Sequence, residues 1–154
     1  MRKQKGFSLI ELLIVVAIIL IIAAIAIPNL LRSRMAANEA SAVGSIRTIN
    51  TAEVTYSSTY PDIGFTALAS LGGTGTSATS SNALLIDNVL ATGTKSGYTF
   101  ATTGISGTPA VQYAVNADPV TRGQSGQRSF FSDQSGVIRY NQTAAASVSD
   151  NPLQ

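Results

Sequence analysis

An unbroken run of sixteen apolar residues, 12–27, constrains this chain more than any other feature. Three basic residues lie within the first five positions, before the run. As a helix, residues 7–31 span roughly 37 Å, which exceeds the bilayer core of about 30 Å. Because cationic flanks stay in the cytoplasm, the sequence predicts one membrane-spanning helix with a cytoplasmic N-terminus.

Glu11 is the one charged residue within residues 7–31, and it directly precedes the apolar run. A carboxylate costs about 2.5–3.5 kcal/mol at the centre of a membrane helix and less near its end. Its position alone allows two interpretations. Either the side chain extends to the lipid headgroups, or it has a partner and a function.

A secretory signal is the competing interpretation of the N-terminus. Such a signal has a shorter apolar core, followed by a cleavage site of small residues. Here the core is longer, and residues 28–31, Pro-Asn-Leu-Leu, offer no small-residue site. The break in pattern is Gly6, which precedes the apolar run.

Residues 5–16 have the sequence KGFSLIELLIVV. This stretch closely resembles the class III signal of type IV pilins and pseudopilins. The resemblance is dense over residues 3–31 and looser to about Thr59. It implies that a prepilin peptidase cuts between Gly6 and Phe7, that Phe7 is then N-methylated, and that Glu11 serves subunit assembly by meeting the N-terminal amine of a neighbour. Opposite charges 4 Å apart attract by about 4 kcal/mol at an effective dielectric constant of 20.

Pro28 ends the apolar run and predicts a helix kink, because proline removes one helical hydrogen bond and clashes with the preceding turn. The family often has a proline here, and in some filaments the helix loosens just before it. A glycine often assists upstream, whereas this chain has Leu20. A simple kink and a loosened helix therefore both stay open.

The helical pattern continues over residues 32–59 as an amphipathic segment that ends before Pro61. One face carries apolar residues at helical spacing, which predicts contact with a globular head. These residues are Met35, Ala42, Ile46, Ile49 and Tyr56.

Glu39 and Glu53 fall in phase with this apolar face, seven residues either side of Ile46. We expect solvated charges that contribute about 0–1 kcal/mol each. The alternatives are a position at the edge of the contact with the head, or pairing with Arg32, Arg34 or Arg47 of a neighbouring subunit.

The rest of the chain predicts a small antiparallel sheet. Residues 60–97 form a connecting loop with a short helix that starts near Asn82. Residues 98–141 contain three to four strands joined by hairpins, predicted at 98–102, 111–115, 128–132 and 137–141, with a turn signal at residues 133–136. Residues 142–154 form a polar, frayed C-terminal tail. The predicted fold is α+β and type IV pilin-like, with one long N-terminal helix packed on this sheet.

Composition argues against an enzyme. The chain has no histidine and no cysteine, which removes the commonest general base, thiol chemistry and disulfides. Many related pilins close their C-terminal region with a disulfide, which this chain cannot form. Asp118, Asp133 and Asp150 each have a turn-forming explanation. Major pseudopilins carry a calcium loop near a tryptophan; this chain has no tryptophan, and we expect no metal and no cofactor.

Other motifs are weak. Residues 72–77 resemble a phosphate-binding loop but lack its lysine and a preceding strand, so we expect a surface loop. Asn141 begins an N-glycosylation triplet. The ten basic and eight acidic residues become seven and eight once the leader, residues 1–6, is removed. The sequence therefore gives no indication of nucleic-acid binding.

These observations predict a structural subunit of a type IV pilus. It would wait in the inner membrane among lipids, with its N-terminus in the cytoplasm, and polymerise through its N-terminal helix into a helical homo-oligomer at the cell surface. The expected partners are the prepilin peptidase/methyltransferase and an assembly platform. The alternative is a pseudopilin of a periplasmic type II secretion filament. A membrane-anchored binding domain would keep its leader.

Overall fold

Helix α1 is the longest element of the structure, a computed structural model that describes residues 6–153. It spans Leu9–Thr59, and Pro28 lies inside it. Two one-turn helices follow, α2 at Leu68–Leu71 and α3 at Asn88–Ala91. The chain divides into two compact units after Arg34, and we call the second unit the head.

Six strands form one antiparallel sheet in which each strand pairs with its neighbours in sequence. In chain order they are β1 Thr94–Lys95, β2 Tyr98–Thr103, β3 Ala114–Pro119, β4 Ser129–Asp133, β5 Arg139–Asn141 and β6 Asn151–Pro152. The predicted α+β class, with a long N-terminal helix and an antiparallel meander, is confirmed. The predicted count of three to four strands is wrong. The two extra strands, β1 and β6, have two residues each, too few to show alternation in a sequence.

The core of the head lies between one face of α1 and the sheet. Ala42, Ile46, Ile49 and Tyr56 are each almost fully buried there. Across from them lie side chains that alternate along the strands, since successive residues of a strand point to opposite faces. These include Tyr98, Phe100, Val115, Ala117 and Phe130.

Strand β3 lies further along the chain than the predicted strand at residues 111–115. Val111 is exposed, whereas Val115 and Ala117 are buried. Asn116, Asp118 and Pro119 rarely occur in strands, which explains why the sequence pattern missed this end. Here pairing with β2 and β4 overrides the local preference.

The short helix predicted from Asn82 begins instead at Asn88. Leu84 has a φ of 55°, a left-handed conformation that interrupts a right-handed helix. The Asp87 side chain accepts a hydrogen bond from the Leu90 N–H at 2.9 Å. Asp87, rather than Asn82, is therefore the N-cap.

The C-terminal segment is ordered, contrary to the frayed tail that its polar composition suggested. Strand β6 pairs with β5, and the Leu153 N–H donates to the Ile138 carbonyl at 2.7 Å. Ala146 is buried. Hydrogen bonds from side chains distant in sequence hold this segment, and a local pattern does not reveal such bonds.

Candidate functional site

The N-terminus of α1 is capped by its own acidic residue. Glu11 Oε2 accepts a hydrogen bond from the Ser8 N–H at 2.9 Å. Ser8 and Glu11 have the spacing of a capping box, in which an acid at the third helical position satisfies a free N–H of the first turn. The sequence analysis missed this role, although the Ser-x-x-Glu pattern signals it. Glu11 thus has a structural function within the chain, besides the assembly role that the resemblance implies.

Gly6 and Phe7 precede this helix in an exposed, non-helical segment. The Phe7 side chain is 83% exposed. A peptidase requires a peptide bond that is accessible and outside regular secondary structure, and the bond between these residues meets both conditions. The leader's three cations lie in residues 1–5, outside the described residues.

The apolar segment of α1 leaves its side chains exposed within the first unit. Leu20 is 63% exposed and Ile25 65%. One stretch of 18 residues in this helix has a mean hydropathy of 3.3, and 0% of it is buried. The helix is therefore long and apolar enough to cross a membrane. Apolar area exposed to water costs about 25 cal/mol per Å², and this surface therefore requires lipid or other helices around it.

Pro28 lies within α1. Proline has no N–H, so the Ala24 carbonyl, four residues earlier, lacks its usual helical partner. The helical assignment is continuous through this position. The kink remains a prediction.

Glu39 is buried within the head, which corrects the expectation of a solvated charge. Its Oε1 accepts the N–H groups of Gln127 at 2.8 Å and Arg128 at 3.0 Å, and its Oε2 accepts from Arg128 Nε at 2.8 Å. Burial favours a higher pKa for Glu39, but these donors together outweigh burial and lower the pKa below its ordinary value. Glu39 therefore pairs within its own chain and is not free to pair with a neighbour.

Glu53 is also fully buried, whereas the sequence predicted a solvated charge. One carboxyl oxygen accepts the Thr66 N–H at 3.0 Å, and the other has no hydrogen-bond partner among the described residues. Burial raises the pKa of Glu53 from 4.5 to about 7. Burial, and then the Glu53 charge, raise the pKa of the nearby Tyr113 to about 12.

Arg122 holds the C-terminal segment in place. Its guanidinium donates to the carbonyls of Gln142 at 3.0 Å and Ala144 at 3.1 Å. It also donates to Ser129 Oγ at 2.7 Å and to the Gln127 carbonyl. One side chain thus joins the loop before β4, the start of β4 and the segment after β5. No local sequence pattern predicts these bonds, because the partners lie as far as 22 positions from Arg122.

The side chain of Asn141 is engaged in hydrogen bonds, which bears on the glycosylation triplet. Its Nδ2 donates to Asp150 Oδ1 at 2.9 Å, and its Oδ1 accepts the N–H groups of Thr143 and Ala144 at 3.0 Å. A glycan on Nδ2 would disrupt this arrangement. The N–H of Ser147 is the main cause of a lowered Asp150 pKa.

Two further candidate sites have simple explanations. Within residues 6–153, no group of three potential metal ligands comes together. Asp133 accepts hydrogen bonds from Ser135 in the β4–β5 turn. The glycine-rich loop at residues 72–77 is mostly exposed and follows α2 rather than a strand.

We predict that head stability falls as the pH rises through 7, and that Glu53→Gln removes this dependence. The folded pKa of about 7 exceeds the ordinary 4.5, so the protonated carboxyl stabilises the head fully below pH 4.5 and loses this effect above 7. The difference amounts to about 3 kcal/mol. Urea unfolding of the detergent-solubilised chain between pH 5 and 8.5 measures it.

Glu39→Gln is the matched control for this series. Glu39 lies on the same helix, but its pKa is lowered, so its substitution should leave the fall in stability between pH 5 and 7 in place. A wild-type unfolding free energy that stays flat across this pH range would contradict the assignment.

Arg122→Lys should loosen the C-terminal segment, because one ammonium cannot reach all the acceptors of the guanidinium. We expect a loss of about 2 kcal/mol and faster elastase cleavage at Ala144–Ala146. Arg47→Lys is the control, since Arg47 is exposed and makes no side-chain hydrogen bond within residues 6–153. Equal cleavage rates in wild type and Arg122→Lys would show that the bonds of Arg122 are dispensable.

Comparison with known proteins places the N-terminal features in context. Residues 1–27 match the family model described as the prokaryotic N-terminal methylation motif. The chain is 67% identical over 39 residues to the type IV wide pilus major component PilA4 of Thermus thermophilus. This matched stretch covers 25% of this chain and 30% of that protein. It is 41% identical over 90 residues to a fimbrial protein of Pseudomonas aeruginosa. This match covers 50% of this chain and 58% of the fimbrial protein.

A secretion protein is also among the relatives. The chain is 41% identical over 73 residues to the type II secretion system core protein G of Vibrio cholerae, covering 44% of this chain and 50% of that protein. No solved structure matches the chain. The matches with the first two relatives span 30% and 58% of those proteins. The methylation motif and these relatives show that the N-terminal part of the chain is similar to type IV pilins and to a type II secretion protein.

Proposed function

We propose that this chain is the structural subunit of a type IV pilus. The observation that carries the proposal is the exposed apolar segment of α1, which lies within the methylation motif matched at residues 1–27. A prepilin peptidase removes residues 1–6, and Phe7 becomes the methylated N-terminus. The subunit waits in the inner membrane, where lipid covers the apolar segment. An assembly platform then moves it into a filament at the cell surface, where copies of the same helix replace the lipid.

The geometry of Glu11 supports its role in assembly. Oε2 accepts the Ser8 N–H, while Oε1 accepts no hydrogen bond from residues 6–153. This oxygen is available to the N-terminal amine of a neighbouring Phe7. Such a pair, about 4 Å apart, contributes about 4 kcal/mol at an effective dielectric constant of 20. This attraction offsets the cost of holding a carboxylate among apolar helices and sets the axial register between subunits.

The work of such a subunit is mechanical rather than catalytic. The polar side chains that are held in the head, those of Glu39, Arg122 and Asn141, bind other parts of the same chain. Each therefore stabilises the fold rather than a substrate. This arrangement fits a subunit whose head forms the outer surface of a filament.

The second candidate is a pseudopilin of a type II secretion filament. It is favoured by the similarity to the core protein G of Vibrio cholerae. Both proposals require the same cleavage and the same helix packing. They differ in where the filament ends, at the cell surface or within the envelope.

N-terminal mass spectrometry of fibres sheared from the cell surface tests the proposal. We expect an abundant peptide that begins at methylated Phe7. The same processed peptide found solely in the envelope fraction would favour the pseudopilin. An intact leader on the mature protein would contradict both and leave a plain membrane anchor.

Glu11→Gln separates the two roles of this side chain. The amide oxygen can still accept the Ser8 N–H, whereas the charge that attracts the neighbouring amine is gone. We expect normal cleavage after Gly6 but at least about a tenfold loss of sheared filaments, in keeping with a contact of several kcal/mol. Wild-type filament yield from Glu11→Gln would show that the carboxylate charge is dispensable. Glu11→Ala, which also removes the cap, measures the added cost of the lost hydrogen bond.

A further inference from the structure

Arg47 is an exposed cation on the head part of α1, and no carboxylate of residues 6–153 pairs with it. Since Glu39 and Glu53 are both buried within their own chain, neither can serve as its partner in an assembly. Arg47 stands between two concave surfaces of about 330 and 320 Å³. The first is lined by Thr48, Thr51, Ala52, Thr55 and Leu85, and the second by Gly136, Val137, Ile138 and Leu153.

The groove beside Arg47 is less polar than its threonines suggest. The hydroxyls of Thr48, Thr51 and Thr55 donate to carbonyls of the preceding helical turn at 3.1, 3.0 and 2.9 Å. Each donor is therefore satisfied, and the groove offers methyl groups to a partner. An apolar surface around one unpaired cation suits a partner that brings an apolar side chain next to a carboxylate.

The chain itself carries such a partner at residues 61–63. Asp62 is exposed, and no cation of the described residues pairs with it. It follows the C-terminus of α1, whose last turn holds no basic residue. Because a helix C-terminus carries partial negative charge, an acid there is unfavourable until a cation approaches. The adjacent Ile63 is 38% exposed.

The other carboxylates of the head are less suitable. Asp87 pairs with Lys95 at 2.8 Å. Asp133 and Asp150 accept hydrogen bonds within their own turns. Asp118 is half-buried in β3. Asp62 combines an exposed side chain, a helix C-terminus and an apolar neighbour.

We propose that residues 61–63 of one copy dock on the groove that Arg47 forms with Thr48, Thr51 and Thr55 in the next copy. Asp62 binds Arg47, and Ile63 packs against the apolar lining of this groove. The inference rests on the proposed function and names a contact between heads. The two surfaces are different parts of the same unit, so the contact is heterologous. A heterologous contact that does not close a ring generates an open helical filament.

Charge exchange tests the contact. Arg47→Asp and Asp62→Arg should each lower the yield of sheared filaments at least fivefold, and the double variant should restore most of it. Near-UV circular dichroism of the detergent-solubilised subunits confirms that each head is folded. Arg34→Asp combined with Asp62→Arg is the matched control and should show no recovery. Unchanged yields in both single variants, or recovery with Arg34 instead of Arg47, would overturn the proposal.

A direct measurement uses the absence of cysteine from the chain. Because an Arg–Asp ion pair separates the two Cα atoms by more than a disulfide can span, filaments of a chain carrying both Arg47→Cys and Asp62→Cys are treated with a short bis-maleimide, which should link copy to copy and give a ladder of multimers on a denaturing gel. Each single variant should give no ladder. Wild-type filaments with a mature Phe7 terminus establish the proposed function separately. A missing ladder in filaments of the double variant, together with failed charge exchange, would reject the contact alone.

Discussion

The carboxylate of Glu39 is the contact that fixes the sheet on α1. Apolar burial of Ile46 and Ile49 drives the helix against the sheet, but this effect has no direction. The three hydrogen bonds of Glu39 to residues 127 and 128 do have direction and set where β4 begins. Arg128 in turn lies 5.5 Å from the ring centroids of both Phe130 and Tyr140. A single partly buried ion pair thus connects α1, β4 and β5.

Glu53 shows how strongly the outcome depends on the number of donors. Both acids lie on the same face of α1 and are buried, yet their pKa values move in opposite directions. Glu39 meets two backbone N–H groups and a guanidinium, whereas Glu53 meets one N–H. With so little compensation, the neutral carboxyl of Glu53 is the form that suits its site. The helix therefore carries one acid that fastens the head and one whose ionisation loosens it.

Local signals in the sequence were sufficient for part of this structure. The end of α1 before Pro61 and the apolar face from Ala42 to Tyr56 depend on residues close in the chain, and both were predictable. The Glu39–Arg128 pair joins residues 89 positions apart, and Arg122 reaches Ala144. Periodicity carries no information on such distances. For the same reason the sequence does not distinguish Glu39 from Glu53, and it predicts a frayed tail where the C-terminal segment is ordered.

The non-covalent hold of Arg122 on the C-terminal segment has a mechanical consequence. A disulfide limits how far a domain can extend under load, because the chain between its cysteines stays closed. This chain has no cysteine, so a head pulled until its hydrogen bonds break can extend along its whole length, by about 3.3–3.6 Å per residue. The same bonds re-form when tension ceases, without an oxidant. We therefore expect the head to lengthen under load without a covalent limit, and its refolding to require no particular redox state.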